Sequence, residues 1–173
     1  LKAEHKMTNK PEKFQSLIRN FHAHGLGTFL SFIIGLPNDR AGVGLRTAQF
    51  AHDVRTHAAG FSALHPLPGT EDFEMMKQKG TLMDGYWLMK DDDRYHRAVF
   101  EHSHLSPEEI WQEVKTARES FYSFPWMAER IRSAPPSHRW PMFAFNLALR
   151  EFSLGEHILT DSSRLLLELM KAR

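Results

Sequence analysis

The chain has 173 residues, 42% apolar and 25% charged, and carries a net charge of +1 with its eleven histidines neutral. That length and composition suit one ordinary globular domain, and the scattered Lys and Arg lack the basic stripe of a nucleic-acid binder. The absence of cysteine excludes a disulfide scaffold, and no apolar run reaches the roughly 18 residues of a membrane span; with no secretory signal at its start, a cytoplasmic location is the expectation.

Asn9 to His24 reads as a helix: Asn9 can cap it, Pro11 suits the first turn, and Phe14, Leu17, Ile18 and Phe21 recur at helical spacing. Gly25 stops it. Thr28 to Ile34 is an apolar, β-branched and aromatic run that fits a parallel strand buried on both faces. Asn38 to Gly44 is a loop. Val43, Thr47, Phe50, Ala51 and Val54 then mark the buried stripe of a helix that fades before Gly60. A shorter strand, Phe61 to His65, enters the turn Pro66-Leu67-Pro68-Gly69-Thr70, and a short helix follows to Lys79. Strand, helix, strand, helix is the order of a βα barrel or an open parallel sheet, where ligands sit at the carboxyl ends of strands.

Gly80 to His104 is irregular and carries Tyr86, Trp87, Tyr95 and the acidic triplet Asp91 to Asp93; a loop of that length is usually functional or packed around something. Ser106-Pro107-Glu108-Glu109 is a capping box with proline at the first helical position, and Ile110, Val114, Ala117 and Phe121 form one face of the helix behind it. The Pro-Pro pair within Ser133 to Ser137 is the best candidate boundary. Beyond it, Trp140 to Phe152 and Ile158 to Met170 read as two helices joined near Gly155.

Ser31, Ile33, Gly35 and Asn38, with Asp39 beside them, followed by Pro66-Leu67-Pro68-Gly69-Thr70, resemble the last two βα units of radical S-adenosylmethionine (radical SAM) enzymes, particularly those with a cobalamin-binding domain upstream. Ile33 and Gly35 match the family's Gly-x-Ile-x-Gly-x-x-Glu motif, which lines the adenine pocket on the fifth barrel strand; Ser31 and Asn38 depart from it. The resemblance covers Leu1 to Tyr122. It implies the carboxyl-terminal part of a partial (β/α)6 TIM-like barrel over residues 1–104 with its covering loop, then a helical extension over 105–173. It also implies SAM and a 4Fe-4S cluster in the parent protein, reductive SAM cleavage to a 5′-deoxyadenosyl radical, and, with cobalamin, methyl transfer to a small or lipid-like substrate. Ile33 and Gly35 would contribute to the adenine pocket, Asn38 or Asp39 would brace that loop, and His65 would face the cavity. The cluster needs a Cys-x3-Cys-x2-Cys loop, and this chain has no cysteine. The expectation is therefore a piece of a longer enzyme whose main partner is the remainder of its own barrel.

Other chemistry finds less support. His65, at a strand end, could relay a proton or simply bond to the turn that follows. His22 with His24, His52 with His57, and His102 with His104 lack the spacing of zinc sites. Asp91 to Asp93 lack a calcium-loop pattern. Two further readings stay open: a non-catalytic α/β module or cysteine-less remnant acting through protein contacts, and a different βα-barrel enzyme using His65 and Asp39 as acid and base.

Overall fold

The computed structural model describes residues 11–86 and 98–154. In chain order the described elements are α1 (Pro11–Ala23), β1 (Phe29–Ile34), α2 (Val43–Asp53), β2 (Ala58–Ala63), α3 (Glu71–Gln78), α4 (Pro107–Phe121), α5 (Phe124–Ser133) and α6 (Pro136–Leu154). The architecture is α/β: β1 and β2 pair in parallel, with Phe29 opposite Ala58 and Ile34 opposite Ala63, and helices cover one face of the pair. The predicted helix Ile158 to Met170, the acidic triplet Asp91 to Asp93, and Trp87 and Tyr95 lie outside the described residues.

β1 differs from expectation in a telling way. Its inner face, Leu30, Phe32 and Ile34, packs toward the helices, whereas Phe29, Ser31 and Ile33 are exposed on the other face, Phe29 by 53% and Ile33 by 40%. The strand is parallel, yet the described residues leave its Phe29, Ser31 and Ile33 side exposed, because α2 and α4 pack against the other side. β2 begins at Ala58, three residues earlier than the Phe61 start read from sequence. Ala58, Ala59 and Gly60 are poor strand formers; pairing with β1 overrides that preference.

One buried cluster runs from Ile34 and Phe61 in the strands through Ala48 and Ala51 in α2, Ile110 to Phe121 in α4, and Met127 in α5. Phe61 links the layers, stacked on Phe32 at 5.4 Å and edge-on to Phe121 at 5.6 Å. The capping box of α4 forms with both of its bonds, and Ile110, Val114, Ala117 and Phe121 are its buried face. In α2 the buried positions are Gly44, Ala48, Ala51 and His52; of the expected stripe, Ala51 and Val54 are buried, and Val43, Thr47 and Phe50 are half-buried beside them. Small residues win there because α4 comes close: a Cβ on Gly44 would overlap the carbonyl oxygen of Glu113. The Pro135–Pro136 pair makes a tight corner from which α6 starts directly.

The two edges of the sheet are unequal. In a parallel strand alternate residues direct their backbone groups to opposite edges. Ala58 donates to Thr28 O and Leu64 to Ile34 O, so His57, Ala59 and Phe61 face away from β1. Each of these finds a side chain. Asn146 Nδ2 donates to His57 O at 2.9 Å. Tyr122 Oη donates to Ala59 O at 2.6 Å and accepts from Ala59 N at 3.3 Å. Arg118 donates to Phe61 O through Nε at 3.0 Å and Nη2 at 2.8 Å. The outer edge of β2 is thus closed by helices α4 and α6. The far edge of β1, bearing the groups of Phe29, Ser31 and Ile33, pairs with no other strand among the described residues.

Candidate functional site

The carboxyl ends of β1 and β2 carry two shaped turns. The first, Gly35 to Asp39, is tied by one carboxylate: Asp39 Oδ2 accepts from Gly35 N at 2.8 Å and from Leu36 N at 2.9 Å, while Asp39 N donates to Leu36 O at 2.8 Å. Gly35 has φ +102°, a region closed to most side-chain-bearing residues. A Cβ there would sit 3.2 Å from Phe100 Cζ and 3.5 Å from Ile110 Cγ2. The side of Gly35 that lacks a side chain therefore meets the interior. Of the two residues expected to brace this loop, Asp39 makes the bonds and Asn38 is exposed.

His102 holds the turn from outside. Its Nε2 donates to Leu36 O at 2.9 Å and its Nδ1 accepts from His104 N at 3.2 Å. Those two bonds fix the neutral Nε2–H tautomer. Sequence reading treated His102 only as a rejected metal ligand; Leu36 lies 66 positions away and nothing local announces the bond.

The second turn follows β2. His65 is half-buried, with Nδ1 3.4 Å from Ala63 O. Thr70 Oγ1 donates to Leu67 O at 2.7 Å and accepts from Phe73 N at 3.3 Å, capping α3, and Gly69 takes φ +87°. Prolines and glycine fix this turn's shape.

Behind the first turn, α2 begins under a carboxylate from another helix. Glu113 accepts from Gly42 N at 2.6 Å and from Gly44 N at 2.7 Å, so it neutralises amides that a helix start leaves orphaned. The site so built is a rigid rim with Ile33 and Ser62 paired in register on the open sheet face just below it. Ile33 offers an apolar surface, and Ser31, Gly60 and Ser62 leave room beside it. The described residues include no group of three or more His, Asp or Glu side chains able to hold a metal ion, and no described helix is long and apolar enough to cross a membrane.

No family model matches the chain. It is similar to a methyltransferase. The bacteriochlorophyllide d C-12(1)-methyltransferase of Chlorobaculum tepidum is 27% identical over 140 residues, which cover 81% of this chain and 30% of the relative. The chain thus matches less than a third of that enzyme's length.

Proposed function

We propose that the chain is the carboxyl-terminal part of a SAM-dependent methyltransferase of the radical SAM type, contributing one wall of the SAM adenine pocket and of the substrate cavity. The observation that carries this reading is the one-sidedness of the sheet. β2 is finished as a last strand by Asn146, Tyr122 and Arg118, while β1 keeps an edge and an apolar face to which further strands of a barrel can add. Similarity to a methyltransferase over 81% of the chain supports the same reading.

The residues present suit the adenosyl end of SAM. Ile33 is an exposed apolar side chain at the strand's carboxyl end, a surface for a flat aromatic base. The turn behind it is preorganised by Asp39 and His102, so binding would order little backbone. SAM, when bound, supplies the methyl or adenosyl group; Ile33 excludes water from one side of the base, and Asp39 keeps the Gly35 turn from collapsing into the site. The residues do not fit an iron–sulfur cluster: its thiolate ligands are absent from this sequence and would have to come from the remainder of the parent. Nor is any described residue assigned to cobalamin. The open face, with Phe29 and Ile33, is suited to a small or lipid-like substrate.

Two measurements test this. The reading frame upstream of the Leu1 codon should continue into a Cys-x3-Cys-x2-Cys loop; an immediate stop codon would sink the proposal and leave a binding module as the better reading. In the whole parent protein, Ile33→Asp should weaken SAM binding, measured by calorimetry, by about tenfold to a hundredfold, the worth of one buried Ile side chain. Unchanged SAM affinity would remove Ile33 from the pocket.

A further inference from the structure

A cavity of about 340 Å³ lies at the opposite end of the strands from the SAM-side turns, between the end of α1, the α2–β2 turn and the end of α5. Its walls include Arg19, His22, Arg55, His57 and Arg130, and no Asp or Glu is among the described residues lining it. Arg130 is 1% exposed, lies with its guanidinium carbon 3.7 Å from the Phe121 ring centroid, and donates to Phe121 O and Asn146 Oδ1. His57 stacks on His22 at 4.0 Å. Its Nδ1 accepts from Thr28 N at 3.2 Å, so the neutral ring carries its proton on Nε2.

Three N–H groups in these walls are buried and have no acceptor among the described residues: Arg55 Nη1, His57 Nε2 and Arg130 Nε. Buried donors without partners are rare, and a bound ion is one of the standard reasons for them. The carbonyls at the ends of α1 and α5, which attract cations, take partners other than these three donors. Ser133 Oγ bonds Arg130 O, Arg139 bonds Ala134 O and Arg132 O, and Gly25 N bonds His22 O. Glu129, the nearby carboxylate, is already taken by Arg55 Nη2 at 2.7 Å and His52 Nε2 at 3.2 Å. Arg55 further holds φ +62°, a left-handed conformation that costs a residue with a side chain and persists where the surroundings enforce it.

We propose that this cavity binds a phosphate-type oxyanion, either free phosphate or the phosphate of a small phosphomonoester. Guanidinium forks match the geometry of such oxyanions, and the three orphaned donors belong to residues of these walls. The site is independent of the methyltransferase reading, because it lies at the other end of β1 and β2, about 20 Å away along strands of this length.

Calorimetric titration of the full chain with inorganic phosphate and with glycerol 3-phosphate, against potassium chloride of equal ionic strength, tests it. Saturable binding of either probe is expected, the tighter probe identifying whether free phosphate or a phosphomonoester is the ligand. Arg19→Gln and Arg55→Gln should each weaken binding about tenfold, the loss of one charge-assisted bond, while both variants keep cooperative melting. A parallel readout is the His57 Nε2 resonance by NMR, which phosphate should shift in the wild type. No saturation, or unchanged affinity in both variants, overturns the proposal. So does a response equalled by chloride, which would mark a screened surface effect.

Discussion

Tyr122→Phe removes a single buried oxygen and leaves the ring's contacts in place, including its edge-on packing with Phe121 at 5.0 Å. That oxygen serves both polar groups of Ala59, donating at 2.6 Å and accepting at 3.3 Å, and burial pushes the phenol's pKa up to about 12, so the proton it donates stays in place at any working pH. Without it, a carbonyl and an amide on the closed edge of β2 are buried unpaired. Each orphan costs about 1–3 kcal/mol; the longer bond is the weaker, which gives a total of about 3 kcal/mol. For a chain of this size that is a fall of about 6–12 °C in Tm. Urea denaturation should show the loss at an unchanged slope, and hydrogen exchange should show the Ala59 amide losing protection relative to the rest of β2. A loss below about 0.5 kcal/mol with Ala59 exchange unaltered would refute the account of β2 as an edge sealed by side chains.

Two further outcomes follow from particular contacts. Gly44→Ala should destabilise by about 2 kcal/mol in urea denaturation despite alanine's higher helix propensity, because the new methyl meets backbone of α4 at Glu113 rather than a movable side chain; a stabilised variant would disprove the close α2–α4 approach. Stability should also fall on acidification. Burial, then the neighbouring His22 and His138, pushes the His57 pKa down to about 4, and burial likewise lowers those of His22 and His52. The unfolded chain therefore takes up protons from about pH 6.5 downward before the folded one does, so the stabilisation is complete above pH 6.5 and is lost toward pH 4. The full His57 shift is worth about 3 kcal/mol; with half the ring's surroundings screened by solvent, about 1.5 kcal/mol remains. His57→Asn, whose amide oxygen can still accept from Thr28 N, should flatten Tm between pH 6.5 and 4.5, and an identical slope in both proteins would clear His57 of the effect.

What was legible in the sequence is what local physics decides. The capping box at Ser106, the face Ile110, Val114, Ala117 and Phe121, the short helix after Thr70 and the apolar strand at Phe29 to Ile34 each follow from spacing and residue type within a few positions. α5 went unread because Phe124–Ser133 follows α4 after a two-residue corner and lacks a capping side chain. The stripe of α2 was read in part: Ala51 and Val54 are buried as expected, but Gly44 and Ala48 were passed over because a partner helix at close range, not bulk, selects them. At the candidate site, the resemblance left Asn38 or Asp39 as the brace, and it is Asp39 whose carboxylate bonds Gly35 N and Leu36 N. His102 and Glu113 were not legible, since each acts on backbone about 70 positions away. Two signals were there for the edge seal. Arg118 and Tyr122 follow Val114 at four-residue intervals beside an apolar face, and Asn146 interrupts the apolar run Phe143 to Leu149. A polar group placed there must be paired once buried.

The inequality of the two edges says more about function than any single side chain near the turns. A two-stranded parallel sheet with both edges free would invite pairing on either side. Here the side of β2 that faces away from β1 spends three side chains, Arg118, Tyr122 and Asn146, on backbone groups, and two of them are arginine and tyrosine taken out of water at a cost, with the Arg118 pKa lowered by burial. Such pairing makes sense only if no strand is to add there. β1 carries no such device among the described residues, and its open face holds Phe29 and Ile33 where a free-standing domain would place polar groups. Under the proposed function, further strands would add beyond β1, and they would turn the exposed face of Phe29, Ser31 and Ile33 into the interior of a larger assembly. In that proposed arrangement the carboxyl ends of β1 and β2, with the Asp39-tied turn and His65, would line the mouth of the interior, while the arginine-lined cavity would stay at the opposite end of the strands.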